Sequence, residues 1–205
     1  MILKPFRREG VMPLPVTFIS TVSKDGVRNI APWSCVMPVL RPLDLILAAS
    51  AKRRDTLQNI RDTGQFVLNL AGADLVEKVI PTARYSLPDV DEFAEAGLEE
   101  KPSVIVRPPG IAGCYAWMEC ERVKEYEEDK FVLILGRVLR LEVDSGVLKA
   151  DGSLDTDKAR PLLMTGSRKG IHFCTLKDLA RHEPFSAMFP DGKDPLAGLF
   201  GNEKT

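Results

Sequence analysis

VTFISTVSKDGVRNIAPWSCVMPVLRPLDLILAASAKRRDTLQNIRDTGQFVLN, residues Val16 to Asn69, runs through several elements without a long loop. Val16 to Val22 is rich in β-branched residues and reads as a strand. Ser23-Lys24-Asp25-Gly26 reads as a turn, because Asp-Gly suits the positive φ that hairpin turns need. Val27 to Trp33 returns as the next strand. Pro32 has no N–H for a ladder, so this strand is expected at an edge or a bulge. Cys35 to Leu40 and Leu43 to Ala49 form a second β pair around Arg41-Pro42. From Ser50 to Gly64 the period changes: Leu57 and Ile60 sit three apart and Gly64 stands at a helix C-cap position. Asp55 lies near the helix start, where a carboxylate is favoured and free to cap. Gln65 to Leu70 follows as a buried strand. The polar residues gather at Asn29 to Ser34 and at Ser50 to Thr56, both at strand ends.

Outward from this run, Pro5, Pro13 and Pro15 bias residues 1 to 15 to an extended or irregular path. Gly72 to Glu99 is more helical, with Leu75, Val76, Val79 and Ile80 as one apolar stripe and Asp91 to Leu98 as a short helix ending at Gly97. Ser103 to Val106 and Ile111 to Arg122 read as strands. Phe131 to Val143 is the longest apolar run, with alternation expected only after Gly136, as for a strand leaving the core for solvent; its Phe131 to Leu135 part suits either core or a subunit interface. Asp144 to Lys158 is turn-rich, Ile171 to Thr175 reads as the last strand, and Leu176 to His182 as a short helix. Many closely spaced strands with few helices favour a closed β-barrel over a doubly wound sheet. Residues 1–205 are expected to form a single domain, with 183–205 as an extended tail or partner-wrapping arm. No GxGxxG follows a strand and no GxxxxGK[ST] occurs, which disfavours Rossmann and P-loop nucleotide sites.

A 44% hydrophobic and 28% charged composition is ordinary for a globular chain of 205 residues. The formal net charge of -1 gives no attraction to nucleic acid or to an anionic membrane. No signal-peptide pattern and no run of about 20 apolar residues is found, so a cytoplasmic, non-membrane protein is expected. Cys35, Cys114, Cys120 and Cys174 form no CxxC pair, and the two histidines lie far from acidic clusters, so no metal site is expected. Cys114 and Cys120 share strand parity with Ala116 and Met118 and read as reduced core thiols on one face.

Ser50 to Thr56 offers two hydroxyls, the cations Lys52, Arg53 and Arg54, and the free N–H groups of a helix start, which together suit a phosphate. Arg54 and Thr56 are the best-placed pair. The same residues would equally make a solvated basic helix start. In Asn29 to Ser34, small residues let a planar ligand approach the backbone, Pro32 bends the strand, and Trp33 could stack on a ring. An edge strand with a bulge and a buried Trp is the structural alternative.

STVSKDGVRNIAPWS, followed by KRRDTLQNIRDTGQFVLNL, resembles the flavin reductase-like family with the FMN-binding split barrel, flavoredoxins included. DEFAEAGLEEKPSVIVRPPGIAGCYAWMECERV and GRVLRLEVDSGVLKADGSLDTDKARPLLMTG extend the resemblance over residues 14 to 170. It implies a mainly β chain with a few short helices, folded as a split β-barrel. It also implies a homodimer with FMN, less readily FAD, near the interface. Carried over by residue, Asn29, Ala31, Pro32, Trp33 and Ser34 would line the isoalloxazine and ribityl part. Ser50, Arg54, Asp55 and Thr56 would hold the ribityl chain and phosphate. Trp33 stands where Phe or Tyr is usual, and SRKGIHF after Gly166 departs from the family's glycine and tyrosine. His172 in that segment is a candidate contact or a structural residue.

The implied function is an FMN oxidoreductase with NAD(P)H as co-substrate, in which the flavin supplies the chemistry and no catalytic side chain is named. The alternative is a non-enzymatic FMN electron-transfer protein fed by a redox partner protein. Reduction of a small organic substrate, or supply of reduced flavin to a flavin-dependent monooxygenase, would use the same cradle. A barrel that has lost its flavin is disfavoured by Asn29, Ser34, Arg54 and Thr56.

Overall fold

In the computed structural model, residue 2 and residues 10–39, 43–167 and 169–193 are described. The Arg41-Pro42 turn, most of the first nine residues and the tail from 194 onward lie outside them. After a short strand β1 (Leu14–Pro15), β2 (Thr17–Val22) and β3 (Arg28–Trp33) form the expected hairpin, with Thr17 opposite Trp33 and Val22 opposite Arg28. Gly26 takes φ 90° in its turn. β4 (Val36–Pro38) and β5 (Leu45–Ala51) pair next, and α1 (Asp55–Thr63) ends on Gly64 at φ 74°. β6 (Gln65–Leu70) leads through a 3-10 turn at Ala73–Leu75 to α2 (Val76–Ala83) and then α3 (Glu92–Ala96). β7 (Glu100–Lys101) and β8 (Gly110–Ile111) form a small ribbon. The long β9 (Ala116–Glu127) and β10 (Phe131–Val143), α4 (Thr156–Ala159), β11 (Leu163–Ser167) and β12 (Gly170–Cys174) complete the order.

Seven antiparallel strands in the order β3-β2-β6-β9-β10-β5-β4 curl into a half-barrel, and β1-β11-β12 make a second sheet. β3 is an edge strand, as Pro32 requires. Both faces of the large sheet are covered. Phe18, Ile30 and Val67 join one apolar cluster with Val79 of α2 and Phe93 of α3. Ile19, Phe66 and Leu68 join a second with Leu57 and Ile60 of α1. That double burial is why every residue of β2 and the four middle residues of β6 are buried, with no alternation between core and solvent. The closed side of the curl is tight at Gly136, where a Cβ would stand 2.6 Å from Cζ of Phe66. The β9–β10 register also shifts between Leu135 and Gly136, so the strand bends there.

Several expectations are corrected. Alternation in β10 falls before Gly136: Val132, Ile134 and Gly136 are buried between more exposed Phe131, Leu133 and Leu135. The sequence hid it because the outer positions are apolar too. Cys114 precedes β9 and joins the first cluster, whereas Cys120 joins the second, so they do not share a face. Burial pushes the Cys114 thiol up to about 12. The 72–99 stretch is three short helical pieces, and Ile80 is half exposed, off the apolar stripe. Leu176 to His182 is not helical, and Ala180 has φ 51°. Ser103 to Val106 is not a strand. The buried carboxylate of Glu119 accepts from the N–H groups of Val104, Ile105 and Val106 and from Arg140, which turns this segment inward instead of along a ladder.

Burial alone would raise the Glu119 carboxyl, but the three N–H groups and Arg140 outweigh it and hold it below the usual carboxylate range. Glu119→Ala leaves three backbone donors without their acceptor and takes away one of the two carboxylates that Arg140 contacts. It is expected to remove about 3 kcal/mol of unfolding free energy, read by urea denaturation; a loss well under 1 kcal/mol would show that the clamp does not hold the segment.

Candidate functional site

The two polar clusters of the sequence meet in space. A cavity of about 270 Å³ opens between the C-terminal half of β3, the end of β5 with the start of α1, and the segment Thr82 to Ser86 that leaves α2. Asn29, Ala31, Pro32, Trp33 and Ser34 line it from one side, and Ser50, Arg54, Asp55 and Thr56 from the other. β3 and β5 lie far apart in the sheet order, so the curl of the sheet is what brings their ends together.

Buried polar side chains set the frame. Nδ2 of Asn29 donates to Oε2 of Glu92 at 2.6 Å, and Oδ1 of Asn29 accepts from the hydroxyls of Thr56 at 2.8 Å and Thr21 at 3.1 Å. The same Glu92 oxygen accepts from the Ile30 N–H at 2.8 Å. Asn29 and Thr56 therefore use these side-chain groups within the frame. Ser50, also buried, donates to the carbonyl of Ala51 at 2.9 Å.

The start of α1 is different. Its N-cap is Arg54 at φ −139°, with no side-chain hydrogen bond to the first turn. Asp55, expected to cap, is instead the first helical residue; Ser or Asp is needed one position earlier to reach the N–H groups. The first amide bonded back into the turn is that of Gln58, to the Arg54 carbonyl at 3.1 Å. The N–H groups of Asp55, Thr56 and Leu57 thus stay without an intrahelical acceptor, beside the cavity. Lys52 does not line the cavity and pairs with Glu127 at 3.0 Å. Arg53, Arg54 and Arg84 do line it, and none has a salt bridge among the described residues.

Trp33 is only 8% exposed and packs with Ile19, Ile46 and Leu57, so it forms cavity wall rather than a free stacking plate. His172 is exposed opposite Thr165 on the β11–β12 hairpin and does not line the cavity. Thr82, Arg84, Tyr85, Ser86 and Glu92 also line the cavity, and no sequence pattern pointed to them. Glu92 follows Asp91, whose carboxylate caps α3 at Phe93 and Ala94, so the pair looks like an ordinary acidic helix start. The arrangement offers a narrow floor of small residues for a flat ring and a basic, donor-rich end for an anion.

The sequence profile described as the flavin reductase like domain matches residues 7–171. The chain belongs to that family. It is 57% identical over 210 residues to an uncharacterized protein of Methanothermobacter thermautotrophicus, covering 100% of this chain and 99% of that one. Among solved structures it is similar to the flavoredoxin of Desulfovibrio vulgaris (Miyazaki F), with a TM-score of 0.79 and 21% identity over 92% of this chain and 100% of the other. It is also similar to nitrilotriacetate monooxygenase component B from Bacillus cereus, with a TM-score of 0.77 and 23% identity over 89% and 98%. The fold is a split β-barrel.

Burial pushes the Glu92 carboxyl up from 4.5 to about 7, and the nearby Asp55 and Glu95 carboxylates add to this against the Ile30 N–H. Because this group holds its proton more tightly when folded, its stabilising effect is present below about pH 4.5 and is lost as pH rises through about 7. The melting temperature is expected to fall more steeply between pH 5 and pH 8 in the unmodified protein than in Glu92→Gln; parallel curves would exclude Glu92 as the titrating group.

Proposed function

We propose that the protein binds FMN in this cavity and acts as an NAD(P)H-dependent flavin oxidoreductase. The observation that carries the reading is the uncapped start of α1 beside Arg53 and Arg54, at one end of a groove floored by Ala31, Pro32 and Ala49. A phosphate satisfies N–H groups and guanidinium charge that are otherwise left to water. Arg54 and the first-turn amides of α1 would hold the phosphate, and Ser50 would border the ribityl chain. The backbone of Ala31 to Ser34 would lie along the ring, brought close by the absence of large side chains at Ala31 and Ser34. Asn29 holds β3 to α1 and α3 and sets the width of the groove, a positioning role. A flavin held here would supply the hydride and electron-transfer chemistry between nicotinamide and acceptor. The protein's share is to orient the ring and keep one face of it against the apolar wall that includes Trp33.

The likeness to a monooxygenase component supports a flavin-dependent monooxygenase as one consumer of the reduced flavin, and the likeness to a flavoredoxin supports a protein electron partner as the alternative. A homodimer in the cytoplasm fits this reading, with the exposed Phe131 and the partly buried Leu133 and Leu135 on the same face of β10 as apolar surface for a second copy.

The purified protein is expected to take up FMN with an oxidised-flavin spectrum that bleaches on adding NADH or NADPH. Bound flavin that ignores both nucleotides would favour the electron carrier, and no uptake at all would refute the reading. Arg54→Ala is expected to weaken FMN binding about 10- to 100-fold, the worth of a charge-assisted contact; unchanged affinity would remove Arg54 from the phosphate site.

A further inference from the structure

The third side of the cavity is built by the segment that joins α2 to α3, and that segment carries Arg84, Tyr85 and Ser86 into the cavity lining. It is fastened on both sides of Tyr85. The Arg84 N–H donates to the Pro81 carbonyl at 3.3 Å, and the Ser86 hydroxyl donates to Glu95 at 2.8 Å. A turn then closes from the Val90 N–H to the Leu87 carbonyl at 3.0 Å. Between these fastenings Tyr85 is 83% exposed. An aromatic ring left so open is unusual for a side chain that can contribute a large buried apolar area. The other aromatic of the lining, Trp33, is committed to the core. The cavity thus has a firm floor and one packed wall, while the single free aromatic plate stands on the third side.

We infer that Tyr85 covers the exposed face of the ring of the bound flavin and thereby determines how tightly the flavin is retained. This rests on the flavin reading above and adds to it a specific residue outside the phosphate end. The recognition is of a planar heteroaromatic surface, which a phenol ring meets by offset stacking. Leu87 sharpens the assignment, since it lies two residues on, is 63% exposed and does not line the cavity. A general gain from exposed apolar surface would involve both residues, whereas ring cover involves Tyr85 alone.

The test is equilibrium titration of FMN into the unmodified protein, Tyr85→Phe, Tyr85→Leu and Leu87→Ala, with melting temperatures recorded alongside. Tyr85→Leu is expected to raise Kd about tenfold and to shift the visible absorption bands of the bound flavin. Tyr85→Phe, which keeps the ring, is expected within about twofold of the unmodified protein, and Leu87→Ala unchanged. All four should melt alike, since Tyr85 and Leu87 are exposed. Equal Kd and equal bands in Tyr85→Leu would overturn the inference while leaving the flavin reading intact. Tyr85→Phe as weak as Tyr85→Leu would overturn it in favour of a hydroxyl contact. Unmodified protein that takes up no FMN would refute the flavin reading itself, and this inference with it.

Discussion

The hydrogen bonds that meet at Asn29 are the constraint on which the site depends. One amide side chain ties the edge strand β3 to Glu92 of α3 on one side and to Thr56 of α1 on the other, with Thr21 of β2 behind. Asn59 extends the chain to the Thr21 hydroxyl at 3.1 Å. Each member is buried, so a missing partner would leave a polar group without water to replace it. The β2–β3 hairpin, α1 and α3 are therefore held at one spacing, and that spacing sets the width of the cavity.

Around this junction the sheet does the larger shaping. Curling needs one strand to bend and one residue to yield, and Gly136 against Phe66 does both. Glu119 solves a separate problem on the other side of the barrel. The backbone of Val104 to Val106 crosses the sheet without a ladder partner, and a carboxylate replaces the missing strand. Arg140, Glu142 and Lys101 extend that clamp back to the β9–β10 pair and the β7 ribbon.

Much of the fold was legible because it is local. The Asp25-Gly26 turn, the Gly64 cap, the β-branched run of β2 and the apolar run of β6 each state their structure within a few residues. The nine residues carried over from the family resemblance all line one cavity, and most fall in the two polar clusters at strand ends and a helix start; Lys52 and His172, also singled out from the sequence, do not line it. What stayed hidden is non-local. The 103–106 segment has the composition of a strand, and only a glutamate 13 to 16 positions on diverts it. The part of Glu92 and Tyr85 in the cavity wall follows from how α2 and α3 pack on β3, which no periodicity announces. The expected Asp55 cap failed by a single position, the limit at which helix boundaries can be read from sequence.

Pro32 and Glu92 together have a further effect on how the molecule behaves in company. An open sheet edge invites a strand from another chain, because it shows a row of unused donors. On β3 the outward N–H of Ile30 is already taken by Glu92, and the next outward position, two residues on, is Pro32, which has no N–H to give. At these two positions the edge that borders the cavity thus offers no donor to an incoming strand. A strand from another copy therefore finds no donor on the stretch of edge beside the groove, and backbone pairing there does not close it.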